Sequence, residues 1–197
     1  MEKKRIGVLI SGGGTNLQAL IDACKNEEIN GEIAVVISSR EEAYGLARAE
    51  KAGIDAEYVS YQGYTPDSYD HKLIEILTDK EVDLVVLAGW LRVLTPTFIN
   101  AFRNKIINIH PSLIPSFCGK GYYGEKVHQA VLKSGVKITG ATVHLVDEGT
   151  DTGPIILQEA VNVHPDDTVE TLQQRVLAVE HKLLVRAVAE FCKNEGA

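Results

Sequence analysis

The sequence lacks any run of about eighteen apolar residues, the length that a membrane-spanning helix requires. This absence predicts a protein without a membrane partner. Cysteine is also scarce, because only Cys24, Cys118 and Cys192 occur and no two of them form a C-x-x-C pair. Their odd number and wide spacing exclude a disulfide framework and a zinc knuckle. The pattern is typical of a protein in the reducing cytoplasm.

Positive charge is in deficit, with 20 lysines and arginines against 27 aspartates and glutamates, and the net charge is -7. This balance argues against a nucleic-acid partner, which a protein holds through basic side chains on phosphates. Repeats and low-complexity linkers are absent as well. The 197 residues therefore predict a single domain, with an N-terminal lobe at about 1–100 and a C-terminal lobe at about 101–197.

What the chain does have is an alternation of apolar strands and amphipathic helices. RIGVLIS is a near-continuous apolar run, as in a strand buried on both faces, and Leu17, Leu20, Ile21 and Cys24 follow it at helical spacing. The alternation predicts an α/β fold with a Rossmann-like, doubly wound, mostly parallel sheet. The last two strands are too close for a helical crossover, which predicts an antiparallel hairpin near the C-terminal side. The predicted strands are 5–11, 32–39, 56–60, 83–89, 106–110, 138–146 and 154–163, and the later helices are 43–53, 68–80, 125–135 and 168–192.

A glycine loop, SGGGTN from Ser11 to Asn16, separates the first strand from the first helix. Glycines let backbone N–H groups approach an anion, and the N-terminus of the following helix adds partial positive charge. A dinucleotide is disfavoured because Leu17 stands where the third glycine of G-x-G-x-x-G belongs, and because the second strand ends in SSR without an acid for a ribose. The loop therefore predicts binding of a phosphate monoester, and a glycine-rich turn without a ligand is the alternative.

The fifth predicted strand carries Asn108 and His110 at its end and runs into a turn with Pro111 and Pro115. Residues two apart in a strand point to the same face, and the carboxyl ends of parallel strands form the ligand crevice. An amide and an imidazole both suit stabilisation of the oxyanion in acyl transfer. No serine or cysteine nucleophile with a base stands nearby, so we expect the nucleophile to belong to a substrate. A structural pair of packed side chains is the other interpretation.

An acidic partner for His110 is expected in the turn DEGTDTGP, which offers Asp147, Glu148 and Asp151. A carboxylate beside an imidazole favours its charged form. Spacing does not choose among the three acids, and an acidic hairpin turn without a catalytic role fits it equally well.

The chain resembles the 10-formyltetrahydrofolate-dependent formyltransferases in five segments: ISGGGTNLQALIDAC, VVLAGWLRVL, INIHPSLIP, GATVHLVDEGTDTGPIILQ and RVLAVEH. The resemblance runs from about Arg5 to about Arg186, and the SGGGTN loop indicates the branch that acts on glycinamide ribonucleotide. It implies transfer of a formyl group from 10-formyltetrahydrofolate, the co-substrate, to the amine of glycinamide ribonucleotide in purine (IMP) biosynthesis. The implied partners are these two small molecules without a metal, and the chain is expected to act as a monomer or homodimer.

By this resemblance Asn108, His110 and Asp151 are the catalytic residues, since Asp151 occupies the acidic position of D-x-G-P. Asn108 and protonated His110 are expected to stabilise the oxyanion, while Asp151 keeps His110 charged. The resemblance assigns the phosphate and ribose of the ribonucleotide to Gly14, Thr15, Asn16 and Glu180. It assigns the folate to Leu91, Arg92, Val93 and Leu94 and to the backbone of Asp147, Glu148, Gly149 and Thr150.

Some other residues depart from the family pattern or receive no role. Pro66 stands where some members carry an arginine that contacts the folate, and Lys120 is the candidate to contact a folate carboxylate instead. His128 lies on a predicted helix and needs no role. His144 is expected to pack within its strand, with support of the site as the alternative.

Two other functions fit parts of the pattern. A hydrolase would deformylate the same folate with water, but water needs neither a phosphate loop nor Glu180. A non-catalytic nucleotide-binding module on the same sheet would not need Asn108, His110 and Asp151 together.

Overall fold

A computed structural model describes residues 3–193, so residues 1–2 and 194–197 of the predicted domain lie outside the described residues. The strands are β1 (Lys4–Ile10), β2 (Gly31–Ser38), β3 (Ala56–Tyr58), β4 (Leu84–Leu87), β5 (Ile106–His110), β6 (Ile138–Leu145) and β7 (Ile155–Asn162). The helices are α1 (Thr15–Lys25), α2 (Tyr44–Lys51), α3 (Pro66–Asp79), α4 (Pro96–Ala101), α5 (Glu125–Ser134) and α6 (Val169–Lys193).

All seven strands form one sheet in the order β3-β2-β1-β4-β5-β6-β7. The strands from β3 to β5 pair in parallel, whereas β6 pairs antiparallel with both β5 and β7. The predicted α/β sheet, mostly parallel with an antiparallel hairpin, is therefore confirmed. Among residues 3–193 no helix is long and apolar enough to cross a membrane.

Helices cover both faces of the sheet, as β1 shows. Val8 and Leu9 point to opposite faces because side chains alternate along a strand, and both are fully buried. Val8 packs in the apolar cluster that includes residues of α1, α5 and α6, and Leu9 packs in the one that includes α3 and α4. Leu73 of α3 is buried in the second cluster. A strand covered on both sides explains why RIGVLIS is apolar throughout.

Helix α4 has no counterpart among the predicted elements. It is six residues long, too short to show a helical repeat of apolar positions. Its start was nevertheless marked in the sequence, because Thr95 is its N-cap residue and Pro96 its first residue. Phe98 of this helix is fully buried and helps to cover the sheet beside the end of β5.

Strand β5 is the place where pairing changes from parallel to antiparallel. Its Asn108 lies opposite His144 of β6, and its His110 lies opposite Thr142. Because residues two apart share a face, Asn108 and His110 point to the same side, as predicted. The antiparallel strand β6 places a histidine beside Asn108, whereas the parallel strand β4 places none there.

Candidate active site

A cavity of about 800 Å³ lies at the carboxyl ends of β1, β4 and β5, a size that suits small-molecule ligands. Every residue of the predicted site except Glu148 lines it. Glu148 lines a neighbouring cavity of about 620 Å³ instead, and its carboxylate lies 3.6 Å from the guanidinium of Arg103. Leu91 to Leu94 border both cavities.

The three predicted catalytic side chains lie together in this cavity. Asp151 Oδ2 lies 3.7 Å from His110 Nδ1, and Asp151 Oδ1 lies 3.7 Å from His144 Nε2. His144 Nε2 in turn lies 3.0 Å from Asn108 Nδ2. Asp151 has a φ of 58°, a left-handed conformation that is uncommon outside glycine and clusters at functional sites. The four side chains form one polar cluster, in which the contact with Asn108 favours a supporting role for His144 over simple packing.

Hydrogen bonds of His144 define its tautomer. Its Nδ1 lies 2.7 Å from the carbonyl oxygen of Leu145, which only accepts, so Nδ1 carries a hydrogen. Its Nε2 is then free to accept from Asn108 Nδ2. An amide nitrogen carries two hydrogens, so Asn108 keeps one for an oxygen bound in the cavity.

The loop between β5 and α5 holds two of the predicted catalytic side chains through its backbone. The carbonyl oxygen of Phe117 accepts a hydrogen bond from His110 Nε2 at 2.9 Å. The backbone N–H of Gly119 donates to Asp151 Oδ2 at 2.8 Å. Ser112 Oγ donates to the carbonyl oxygen of Ser116 at 2.5 Å and fixes the start of the same loop. The loop therefore orients His110 with Nδ1 toward Asp151.

The glycine loop lines the same cavity. A Cβ atom at Gly12 or Gly13 would meet no atom of the described chain within 4 Å, so packing does not explain these glycines. Gly14 has a φ of 70°, and a Cβ there would lie 2.7 Å from the Cα of Gly45. Helix α1 begins at Thr15 without a side-chain cap. The loop thus leaves open space in front of uncapped N–H groups, where an anion binds favourably.

A buried carboxylate stands beside the glycine loop. Asn16 Nδ2 donates to Glu180 Oε2 of α6 at 2.9 Å, and Glu180 is only 8% exposed. Burial raises the pKa of Glu180, and the hydrogen bond from Asn16 opposes this shift. The pair brings the first and the last helix together at the cavity wall.

The sequence of this site matches a known family. A family model described as formyl transferase matches residues 4–188. The chain belongs to the formyl transferase family.

Solved and curated relatives of this formyl transferase point to one branch. Glycinamide ribonucleotide transformylase 1 from Symbiobacterium toebii is 48% identical, with a TM-score of 0.93 over 99% of this chain and 92% of that one. The chloroplastic phosphoribosylglycinamide formyltransferase of Arabidopsis thaliana is 39% identical over 98% of this chain. The trifunctional purine biosynthetic protein adenosine-3 of Bos taurus is 45% identical over 95% of it. The chain spans 66% of the plant protein and 18% of the bovine protein.

The charge state of His110 differs from the expectation of a protonated imidazole. Burial lowers the pKa of His110 below its ordinary value of 6.5, while the Phe117 carbonyl and the charge of Asp151 oppose the shift. Burial alone would raise the pKa of Asp151, but the hydrogen bond from the Gly119 N–H and the nearby His110 together lower it. The lowered pKa of His110 favours its neutral form at about pH 7, beside an ionised Asp151.

Acid is expected to destabilise this formyl transferase through His128. Burial lowers the pKa of His128 to about 4, whereas an unfolded histidine titrates near 6.5. The stability that depends on its neutral form is complete above pH 6.5 and is lost as the pH falls toward 4. Because the ring borders the cavity, we expect a loss of about 2 kcal/mol in the free energy of unfolding. Urea unfolding at about pH 7 and about pH 4 measures it, and the His128→Phe variant should show a smaller drop than the unaltered protein; an equal drop would contradict the prediction.

Sequence reasoning missed two parts of the cavity wall. His128 was assigned no role, yet it is 1% exposed and lines the cavity. The loop from Gly119 to Gly124 lines it as well, although only Lys120 of this loop was assigned a contact. Nothing in the sequence indicated that the backbone of Phe117 and Gly119 contacts His110 and Asp151.

Proposed function

We propose that this chain transfers the formyl group of 10-formyltetrahydrofolate to the amine of glycinamide ribonucleotide, giving formylglycinamide ribonucleotide and tetrahydrofolate, in purine biosynthesis. The observation that carries the proposal is a single cavity lined by the glycine loop, Glu180 and the cluster of Asn108, His110 and Asp151. A deformylating hydrolase needs only the cluster, and a nucleotide sensor needs only the loop and Glu180. The names of the relatives support the same reaction.

The acceptor lies at the α1 end of the cavity in this proposal. Its phosphate binds to the backbone of Gly14, Thr15 and Asn16, where the helix N-terminus supplies N–H donors. Glu180 accepts hydrogen bonds from the ribose hydroxyls, and the bond from Asn16 fixes the carboxylate for that task. The phosphate and ribose sites line one cavity with His110, so the amine of the bound acceptor points toward His110.

The formyl donor lies against the segment from Leu91 to Leu94 and the backbone of Asp147, Gly149 and Thr150. Leu91 is 46% and Val93 80% exposed, so the segment offers apolar surface to a flat ring system. The guanidinium of Arg92 lies 3.8 Å from the ring centroid of Tyr61, a cation–π contact that holds it at the border of the two cavities. There it is available to a folate carboxylate, with Lys120 on the cavity wall as a second cation.

Asn108 stabilises the oxyanion of the tetrahedral intermediate in this mechanism. One amide hydrogen is held by His144, and the other donates to the formyl oxygen as negative charge develops on it. The contact with His144 fixes the amide before substrate binds, so little reorganisation is needed during the reaction.

His110 moves the proton. Its Nε2–H is held by the Phe117 carbonyl, so the neutral ring presents an unprotonated Nδ1. When the amine attacks the formyl carbon, Nδ1 takes the proton that the new ammonium must lose. Asp151 stabilises the resulting imidazolium, and the same proton then passes to the folate nitrogen as its bond to the formyl carbon breaks.

One assay tests the proposed function. The protein is mixed with 10-formyltetrahydrofolate in the presence and in the absence of glycinamide ribonucleotide, and deformylated folate is followed with time. We expect turnover only when the ribonucleotide is present. Turnover that is independent of the ribonucleotide would replace the proposal with a hydrolase, and no turnover in either mixture would replace it with a binding module.

The Glu180→Gln variant is expected to raise the KM for glycinamide ribonucleotide by about 10-fold to 100-fold. A hydrogen bond to a charged group contributes about 1.5–3 kcal/mol, and the neutral amide loses most of that contribution. The KM for 10-formyltetrahydrofolate should stay within about twofold, since Glu180 lies at the acceptor end. The Glu190→Gln variant is the matched control, because Glu190 lies on the same helix in an exposed ion pair with Arg186. An unchanged ribonucleotide KM in Glu180→Gln would remove Glu180 from the acceptor site.

A further inference from the structure

His128 of α5 is a buried polar side chain that the mechanism above does not use. It is 1% exposed, and among residues 3–193 its Nδ1 has no hydrogen-bond partner. The adjacent Val127, and Val131 one turn further along the helix, are apolar and fully buried. A buried polar atom without a partner destabilises a protein by about 1–3 kcal/mol, so an apolar residue would serve packing alone better.

The surroundings of His128 indicate where a partner would come from. The ring lines the central cavity, and its neighbour His110 contributes to its electrostatic environment. Helix α5 packs against α6, which carries Gln173 and Glu180 on the same cavity wall. His128 therefore stands on the acceptor side of the cavity, close to the catalytic His110.

His128 also has the right charge for an uncharged ligand group. Burial lowers the pKa of His128 to about 4, so the ring is neutral at about pH 7. A neutral imidazole offers one donor and one acceptor without repelling the incoming amine or competing with His110 for its proton. An amide, which also carries a donor and an acceptor, is its natural complement.

We propose that His128 binds the amide of the glycinamide arm of the acceptor through Nδ1 and so positions the amine in front of the formyl carbon. This inference rests on the proposed function. It makes His128 a residue that recognises the arm of the acceptor, whereas the glycine loop and Glu180 recognise its phosphate and ribose. Nδ1 is shielded from the cavity in the structure, so the proposal includes a turn of the ring toward the cavity that gives Nδ1 its partner in the ribonucleotide.

The His128→Phe variant tests this role because phenylalanine keeps the ring shape and removes both nitrogens. We expect the KM for glycinamide ribonucleotide to rise about tenfold, the effect of one lost hydrogen bond, with the KM for 10-formyltetrahydrofolate within about twofold. The melting temperature should be equal or higher, because an unpartnered buried polar atom is removed. The His128→Asn variant places an amide near the position of Nδ1 and should recover part of the loss. Gln129→Ala, an exposed neighbour on α5, is the matched control.

The outcomes separate this inference from the proposed function. If the unaltered protein transfers the formyl group and His128→Phe keeps its ribonucleotide KM, only the inference is overturned. Equal losses for both substrates with a lower melting temperature would show a structural residue and overturn it too. If the unaltered protein transfers no formyl group, the proposed function fails and the inference with it.

A measurement on the unaltered protein covers the case in which a variant does not fold. The ring nitrogens are labelled with nitrogen-15, and the Nδ1 resonance of His128 is followed while glycinamide ribonucleotide alone is added. We expect this resonance to shift in proportion to bound ribonucleotide. A resonance that does not move at saturation would overturn the proposal.

Discussion

The His110→Ala variant is expected to lose about a thousandfold in kcat for formyl transfer. A positioned acid–base group contributes about a hundredfold to ten-thousandfold, and alanine leaves no Nδ1 to take the proton from the attacking amine. The affinity for glycinamide ribonucleotide should change by less than about threefold, since the proposed phosphate and ribose sites lie on α1 and α6. Single-turnover kinetics measure the chemical step, and calorimetry measures ribonucleotide binding without the folate.

The His164→Ala variant is the control for His110→Ala, because His164 is exposed in the turn before α6. It should retain the full rate. A His110→Ala protein that binds ribonucleotide and transfers the formyl group at the unaltered rate would remove His110 from the chemistry. In that case His144 would be the next histidine to test, since it also borders Asp151.

The Asp151→Asn variant is expected to lower kcat by a similar factor for a different reason. At 3.7 Å and an effective dielectric constant of about 20, the carboxylate stabilises a charged His110 by about 4 kcal/mol, or about a thousandfold in rate. Asparagine removes this charge but keeps an oxygen that can accept the Gly119 N–H. The loop should therefore stay in place, and ribonucleotide binding should be preserved.

Comparing Asp151→Asn with Asp151→Ala separates the effect of the carboxylate charge from the effect of anchoring the loop. Alanine removes the acceptor of the Gly119 N–H as well, so it should loosen the loop and add a rise in the folate KM, because the loop shares the cavity wall with the donor. Asp79→Asn, at the exposed end of α3, should match the unaltered enzyme in both parameters. A kcat of Asp151→Asn within about threefold of the unaltered value would show that proton transfer does not depend on this carboxylate.

The sequence was most informative where local periodicity fixes the direction in which side chains point. Residues two apart on a strand share a face, so the spacing of Asn108 and His110 was enough to pair them. The alternation of strands and helices likewise predicted the doubly wound sheet. The carboxyl ends of its strands predicted the position of the ligand crevice. Among the acids of the turn after β6, spacing left Asp147, Glu148 and Asp151 open, and only the family resemblance selected one.

The rest of the site depends on contacts between segments that are distant in the sequence. His144 reaches Asn108 through the register of β6 against β5, which no local pattern specifies. The carbonyl of Phe117 and the N–H of Gly119 act through the backbone, so their side-chain identities carry no signal. The role of His128 depends on how α5 packs, and the burial that lowers the pKa of His110 is equally invisible in composition.

The hydrogen bond between Asn16 and Glu180 joins residues that are 164 positions apart. During synthesis on a ribosome, the groups of the chemical step are all present once Asp151 has emerged, but the acceptor pocket still lacks its last wall. That wall arrives only with α6, the final helix of the described chain. A nascent or prematurely terminated polypeptide without α6 is therefore expected to be unable to hold the ribonucleotide, so α6 must emerge before the two substrates can meet.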